Sequence, residues 1–276
     1  MLYRIIFFLF LTLAHQSGGP LLSREPPTLS RNFIKQSCEF SFILDYFSYD
    51  TDHFWNKDGD RKKAFNSLNQ KQVNAYVEFG ITDYDTIGIY GNYTQNIEEM
   101  NGNKRGIGDF ELCWKHLFWS REGHYISSRV LVIVPTGPKK TTIRYGEAGV
   151  EFDIHYQRDL CILNRSAWFE VMGGYRAYSG FPSDQIRGHA VFGYQPFSNF
   201  TFIGELQLDY GVYNGENTFH GPILYLAPQY RLLTGQVQCV YNILECLSIF
   251  AGYSQNLWGE NIGTGGGWFG GISLDY

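Results

Sequence analysis

Apolar and polar residues alternate one by one along most of the chain. Between positions 200 and 210 the even positions are apolar or small, while Glu205 and Asp209 fall on the other face. The stretch 148–156 alternates in the same way, with Glu151 on its polar face. On a helix these charges would spread over every face, whereas successive side chains of a strand point to opposite sides. The pattern therefore predicts an all-β protein.

Each alternating run has about ten residues, the length that a tilted strand needs to cross the hydrocarbon layer of a membrane. The runs predict an antiparallel transmembrane β-barrel of about twelve strands, an even number, as in single-chain bacterial barrels. Residues 236–241 fit either a further strand or an extension of the tenth, so roughly ten or fourteen strands also agree with the pattern. The predicted strands lie near 38–48, 70–80, 86–94, 107–118, 124–134, 147–157, 165–178, 187–195, 200–212, 221–231, 247–257 and 266–276.

Connections between the predicted strands alternate between short and long. Outer-membrane barrels combine short periplasmic turns with long outer loops, so this alternation supports a barrel. It also predicts that the first strand runs outward from an inner N-terminus and that the last strand ends inside. The short connections are 80–84, 119–123, 158–164 and 196–199, and the long ones are 49–69, 95–106, 135–146, 179–187 and 213–220.

The first residues are typical of a secretory signal peptide. Arg4 precedes a short apolar run that ends in small residues near Ala14, and no later stretch is apolar over enough residues for a helical membrane span. Cleavage after Ala14 or among residues 17–19 is compatible with the pattern, and we assign 1–17 to the signal peptide. Residues 18–36 are predicted to be a flexible N-terminal lead-in with three prolines, and 37–276 the outer-membrane barrel.

The last alternating run ends on an aromatic residue. Such a final strand resembles the signal that the outer-membrane assembly machinery reads, so this machinery is a predicted partner. An ordinary C-terminal strand is the alternative. The residues of the predicted assembly signal are Trp268, Gly270, Ile272, Leu274 and Tyr276.

The composition agrees with a barrel whose two faces differ. Hydrophobic residues make up 44% and charged residues 18% of the 276 residues, and the mean hydropathy of −0.24 averages an apolar face with a polar one. Aromatic residues reach 17%, and many lie at predicted strand ends, as expected for girdles at the membrane interfaces. The net charge of −5 excludes nucleic-acid binding through bulk positive charge.

Charged residues fall mainly on the face of the strands that would line the lumen. Opposite charges should pair in a narrow lumen, and the hairpin spacing places Arg129 near Asp153. An excess of carboxylates predicts a negative lumen that favours cations, unless the charges only solvate the interior. The lumen-lining candidates are Glu78, Asp109, Glu111, Lys115, Arg129, Glu151, Asp153, Glu170, Arg176, Glu205 and Asp209, and Glu39, Asp45 and Arg187 add to this face.

Cysteine and histidine residues show no spacing typical of a metal or cofactor site. The five cysteines include no Cys-x-x-Cys pair, so no zinc or iron–sulfur centre and no cofactor are predicted. Because five is odd, one thiol stays unpaired. Cys239 and Cys246 could bridge across a turn in an oxidising compartment.

Two kinds of barrel enzyme provide a test for catalytic chemistry. Outer-membrane phospholipases carry a His-x-Ser-Asn stretch, and no His-x-Ser occurs in this chain. Omptin proteases use Asp-Asp and Asp-His pairs near the barrel top, which Asp50 and the adjacent Asp52 and His53 could imitate. Loop residues of this kind are usually only solvated. The chain is therefore predicted not to be an enzyme.

Two neighbouring stretches resemble the outer-membrane family named for the MetA pathway of phenol degradation. Its members open a strand with Gly-x-Gly-Asp and close the next with Pro-Thr-Gly. The resemblance implies an outer-membrane channel or transporter for small molecules, with aromatic or apolar compounds among the candidates. The glycines and the Pro-Thr-Gly corner also have a structural interpretation as a bulge and a strand end. The matching positions are Gly106, Gly108, Asp109, Lys115, Pro135, Thr136 and Gly137, with further similarity at 76–85 and 252–261.

Together these features predict a passive channel or transporter in the bacterial outer membrane, with the lipid bilayer and small solutes as partners. A structural or adhesive barrel that acts through loops 49–69 and 95–106 is one alternative. A soluble secreted β-sandwich that binds a ligand through aromatic residues is another. Membrane fractionation separates the barrel from the sandwich, and conductance separates a channel from an adhesin.

Overall fold

The computed structural model describes residues 33–98, 102–136, 146–180, 182–213 and 226–276. Within these ranges the chain is all-β, and no helix is long and apolar enough to cross a membrane. The strands are β1 (Phe40–Trp55), β2 (Arg61–Gly80), β3 (Asp85–Glu98), β4 (Gly102–Ile107), β5 (Phe110–Arg121), β6 (His124–Val134), β7 (Gly149–Ile162), β8 (Arg165–Tyr178), β9 (Gln185–Phe197), β10 (Phe200–Gly211), β11 (Leu226–Leu244), β12 (Leu247–Gly263) and β13 (Gly266–Asp275).

The strands form one closed antiparallel barrel. β1 pairs with β13, from Ser41 opposite Asp275 to Asp50 opposite Gly266, and this pairing joins the two ends of the sheet. The segments β4 and β5 follow each other along β3 and act as one interrupted strand. The thirteen segments of the described chain are therefore twelve strands of the barrel, which confirms the predicted fold class and strand number.

Closure of the sheet also decides between the alternatives that the sequence left open. A β-sandwich consists of two sheets packed face to face, whereas the described strands form a single ring. The β-sandwich interpretation is therefore wrong. Residues 236–241 lie within β11, so they extend an existing strand, and neither ten nor fourteen strands is correct.

Two predicted long loops are mostly strands. Residues 49–69 complete β1 and begin β2, with only 56–60 left as a turn. Residues 95–106 lie in β3 and β4, apart from 99–101, which fall outside the described residues. These segments are largely polar, so no apolar alternation marks them, and backbone hydrogen bonds between neighbouring strands hold them in the sheet. The prediction of loops at these positions was wrong.

At one end of the barrel, here called the short-turn end, brief turns connect neighbouring strands. In two of the turns both residues have positive φ, namely Glu122 (52°) with Gly123 (78°) and Leu163 (52°) with Asn164 (59°). This backbone matches the twist of the flanking strands. The four predicted short connections are confirmed, although strands extend further into them than expected. The turns are 81–84, 122–123, 163–164, 198–199 and 245–246.

The two faces of the barrel wall differ in polarity, as the alternation predicts. On β7, Val150, Phe152 and Ile154 are 47%, 51% and 52% exposed, whereas Glu151 and Asp153 between them are fully buried. In a closed one-layer sheet the buried alternate residues point inward. Apolar groups thus face outward and charges inward, the reverse of a water-soluble core and typical of a transmembrane barrel.

The inner wall also carries a buried apolar cluster. Its members come from β1 and from β8–β13, so they occupy one side of the barrel. The lumen is therefore lined by apolar as well as polar groups. The cluster consists of Ile43, Phe47, Tyr49, Trp168, Val191, Ile203, Val240, Phe250 and Phe269.

The chain before β1 enters the barrel at the short-turn end. The predicted signal peptide, 1–17, lies outside the described residues, and the predicted lead-in is described only from Phe33 onward. We call residues 33–36 the strap. Lys35 in the strap is 8% exposed, and its backbone N–H donates to Thr86 Oγ1 on β3 at 2.8 Å. Within the strap, Lys35 is thus hydrogen-bonded to the barrel wall.

Candidate functional site

A belt of buried ion pairs crosses the inner wall at β6–β8. Arg129 donates from Nε to Asp153 Oδ2 at 3.0 Å and from Nη2 to Glu151 Oε1 at 2.8 Å. Arg176 also pairs with Glu151. Arg129 and Asp153 are directly opposite on β6 and β7, which confirms their predicted proximity. A buried charge needs a partner because removal from water is costly, and these pairs supply it.

The belt continues on β9–β11. Arg187 pairs with Asp209, directly opposite on β10. His189 Nε2 lies 3.3 Å from Glu205 Oε2, and Gln238 donates to Glu205 Oε1 at 2.8 Å. Polar contacts therefore run across half the circumference of the barrel, from β6 to β11.

His155 connects the belt to a second carboxylate. Its Nε2 lies 2.6 Å from Asp153 Oδ1 and its Nδ1 lies 2.7 Å from Glu170 Oε1. Both ring nitrogens are thus engaged by carboxylates, which fixes the orientation of the imidazole. Ser127 lies directly opposite His155 on β6, and the hydrogen bonds of both ring nitrogens go to Asp153 and Glu170.

Lys115 and His155 hold the strap through Phe33. Lys115 pairs with Glu78, donates to the Phe33 carbonyl oxygen at 3.2 Å and lies 4.2 Å from the centroid of the Phe33 ring. The ring centroids of Phe33 and His155 are 3.9 Å apart, with the planes tilted by 30°. A cation over an aromatic face is attractive, more so where water is excluded. Two predicted lumen residues, Glu78 and Lys115, thereby form part of the anchor of the strap.

Strap residues line two cavities at the short-turn mouth of the barrel. The larger, which we call the vestibule, has a volume of about 630 Å³ and is lined by β8–β13 together with Lys35 and Glu39. The smaller has a volume of about 270 Å³ and lies between the strap and β5–β8, next to His155 and Glu170. Lys35 also bonds to Asp275 on β13 at 2.9 Å, so the strap is attached to both sides of the mouth.

Uncharged amides and hydroxyls form an inner wall on β2 and β3 that the charge-based prediction did not include. Tyr90 donates its hydroxyl to Asn74 Oδ1 at 3.0 Å, Asn92 donates to Tyr90, and Thr94 donates to Asn92. The signal was present in the sequence as amide side chains at every second position. The buried members of this wall are Gln70, Gln72, Asn74, Asn92, Thr94 and Asn96.

The two stretches that carry the family resemblance contact each other. Thr136 donates from its hydroxyl to the Gly108 carbonyl oxygen at 2.8 Å and from its backbone N–H to Asp109 at 3.2 Å. The N–H of Gly146 also donates to Asp109 at 2.9 Å. A side chain at position 108 would collide with Asn92. These residues therefore have the structural role of joining the β4–β5 break to the chain after β6.

The other residues predicted for the lumen face and for the assembly signal differ in burial. Glu111 and Glu39 are only partly buried, whereas Asp45 is buried and accepts from Asn74. On β13 Trp268 points outward and is 71% exposed, and Tyr276, which follows the strand and also lines the vestibule, is 93% exposed. That orientation leaves them accessible, and their recognition by the assembly machinery stays a prediction. Gly270, Ile272 and Leu274 complete that face.

The cysteines are free, and the acidic residue Asp52 contacts the neighbouring His53. All five cysteines are free, so the bridge between Cys239 and Cys246 is absent, because they lie on a strand and in a turn that do not bring them together. Asp52 lies in β1 and not in a loop, and its hydrogen bond with His53 at 2.6 Å lowers the pKa of the carboxyl. Among the described residues no cluster of potential metal ligands occurs.

Solved structures of outer-membrane proteins have the same fold. The COG4313 outer membrane channel from Pseudomonas putida F1 is similar to this chain with a TM-score of 0.73 at 13% sequence identity, covering 91% of this chain and 100% of that one. The NanC porin and the KdgM porin each give a TM-score of 0.51 at 9% identity, covering 84% and 85% of this chain and 98% and 99% of theirs. No family model and no curated protein sequence matches the chain. At these identities the similarity establishes the fold, an antiparallel barrel of the outer-membrane type.

Proposed function

We propose that this protein is a passive channel for small molecules in the bacterial outer membrane. The observation that carries the proposal is the distribution of polarity across the barrel wall. Apolar side chains are exposed on the outside, and ion pairs are buried on the inside. Such a wall is stable in lipid and surrounds a polar interior. The similar structures include proteins named as an outer membrane channel and as porins, which supports the same role here.

The finer assignment to the MetA-pathway family rests on the resemblance and on one structural observation. The Gly-x-Gly-Asp and Pro-Thr-Gly stretches that carry it lie against each other through Thr136 and Asp109. Aromatic or apolar solutes are compatible with the inner cluster around Phe47 and Phe250. In this proposal some lumen-lining candidates, such as Lys115, anchor the strap, and others, such as Arg129, belong to the belt.

Export, assembly and location belong to the same proposal. A signal peptide over 1–17 would direct export, and the outward face of β13 would present the assembly signal. The expected result is a heat-modifiable protein in the membrane pellet whose mature chain lacks the first residues. N-terminal sequencing of the outer-membrane fraction measures this, and a folded protein in the detergent-free supernatant contradicts the proposal.

Conductance in planar bilayers tests the channel itself. The purified full chain should give discrete current steps, and liposomes that contain it should swell in small solutes. The matched control is the same protein heated until its barrel unfolds. A folded barrel that seals the bilayer contradicts the channel and favours the adhesive alternative, whose surface would be the β1–β2 hairpin around 56–60.

A further inference from the structure

The vestibule has the composition of a binding site for a polar molecule. Its volume of about 630 Å³ is within the range of small-molecule sites. Neutral hydroxyl and amide side chains enter it from every strand between β8 and β13. They are Ser166, Gln195, Thr201, Asn242, Ser248 and Ser273.

Charge in the vestibule disfavours an anionic ligand. Lys35 is the only basic side chain among its described lining residues, and its ammonium is bonded to Asp275 at 2.9 Å. Glu39 and Glu245 add two further carboxylates to the lining. A negatively charged solute would therefore meet carboxylates and an ammonium that is already engaged, so repulsion outweighs attraction.

Trp168 supplies a buried donor at the same place. Its side chain lines the vestibule and is only 4% exposed, and its Nε1–H has no hydrogen-bond partner among the described residues. The ring lies on Gly193, where any side chain would collide with it. Buried indole N–H groups usually find an acceptor. An acceptor oxygen of a bound molecule would satisfy this one.

Other lining groups offer acceptors. Ser248 donates its hydroxyl to Asn242 Oδ1 at 2.9 Å, and Ser273 donates to Asp275 Oδ2 at 3.0 Å. A hydroxyl that donates its proton keeps lone pairs with which it accepts. The vestibule thus combines acceptor oxygens with the indole donor of Trp168, and a ligand hydroxyl can pair with either kind.

We propose that the vestibule binds a neutral polyhydroxylated solute of the size of a monosaccharide or disaccharide. The proposal rests on the proposed channel function and names one class of solute for it. A sugar offers hydroxyls that both donate and accept, together with an apolar C–H face that can approach the Trp168 ring. It has no charge that would be repelled by Glu39 or Glu245.

The test uses the full chain in planar bilayers with glucose as the probe. Glucose should reduce the ion current in a saturable way, and Trp168→Phe, which keeps an aromatic ring but removes the N–H, should weaken this block about fivefold. Trp114→Phe is the matched control, because Trp114 lies on the outer face and donates to Asp85 at 3.0 Å. If Trp168→Phe is blocked as strongly as the unchanged protein, the site assignment is overturned.

Calorimetry separates failure of the site from failure of the channel. Glucose is titrated into the protein in a detergent without a sugar headgroup. Binding without conductance supports the vestibule and overturns the channel, whereas conductance without a glucose effect in either assay overturns the vestibule. If spermidine or phenol blocks the ion current and glucose does not, the proposed class of solute, a neutral polyhydroxylated molecule, is overturned. If Trp168→Phe loses its heat-modifiable migration, Thr201→Val takes its place, with the same weakened block expected.

Discussion

Glu151 is the residue on which the buried positive charge of the lumen converges. It is fully buried, it pairs with Arg129 and Arg176, and Arg187 Nε lies 3.8 Å from its Oε2. Glu151→Gln keeps the shape of the side chain but removes the negative charge that the guanidinium groups of Arg129, Arg176 and Arg187 share. We expect the free energy of unfolding to fall by about 3–5 kcal/mol, the usual effect of breaking a buried ion pair. Urea unfolding of the barrel in lipid vesicles, followed by tryptophan fluorescence, measures the change.

A surface carboxylate provides the control for this substitution. Glu122 lies in the exposed turn between β5 and β6 and pairs with its neighbour Arg121, and both side chains are more than 70% exposed. Glu122→Gln should change the free energy of unfolding by less than about 0.5 kcal/mol, because solvent screens such pairs. Equal effects of the two substitutions would show that the belt does not stabilise the fold.

Phe33 is the residue through which the strap contacts Lys115 and His155 at the mouth of the barrel. Its ring lies between Lys115 and His155. Phe33→Ala removes both contacts, so the strap should be held less firmly and the single-channel conductance should rise. Phe79→Ala, an outward-facing and 42% exposed position on β2, is the control and should leave the conductance unchanged. An unaltered current in Phe33→Ala would show that the strap does not limit conduction.

Residue contacts were predictable where strand pairing determines them. Arg129 and Asp153 face each other because they lie on adjacent strands of one hairpin, so counting from the turn was sufficient. Lys115 and Phe33 are separated by 82 positions and meet across the mouth of the barrel. No local pattern encodes that contact, since it depends on where the chain before β1 enters the closed ring.

At the scale of elements, the β1–β2 hairpin shows where periodicity fails. Its apolar alternation ends near Tyr49, but backbone pairing continues to Trp55 opposite Arg61. Membrane-facing strand segments need an apolar face, whereas segments beyond the hydrocarbon layer need only their hydrogen bonds. Twelve strands could therefore be predicted from the sequence, but not how far they rise beyond the membrane.

Hydrogen exchange tests the extension of this hairpin. Backbone amides of residues 68–72, which pair with 47–51 on one side and 94–98 on the other, should exchange slowly. Amides in the turn 56–60 should exchange within seconds, because protection follows the stability of the hydrogen-bonded structure. Uniformly fast exchange over 49–69 would show that this segment is a long loop, as the sequence indicated.

For the whole molecule, closure of the ring means that residues which alternate along each strand line either the inner or the outer surface of the barrel. The same alternation in an open sheet would leave two edges unpaired, whereas the β1–β13 pairing removes both. The apolar cluster of β1 and β8–β13 and the charged belt then share one lumen. A solute that crosses it meets both kinds of surface, so passage depends on the charge of the solute as well as on its size.

The balance of buried charge predicts cation preference for the whole channel. Among the described residues the buried carboxylates are nine (Asp45, Glu78, Asp109, Glu147, Glu151, Asp153, Glu170, Glu205 and Asp209) and the buried lysines and arginines five (Lys35, Lys115, Arg129, Arg176 and Arg187). A pore lined by net negative charge concentrates cations and repels anions. Reversal potentials in a KCl gradient should therefore have the sign of potassium selectivity, and Glu205→Gln should reduce them while Glu122→Gln should not. A chloride-selective potential would mean that these carboxylates do not govern the path of the ions.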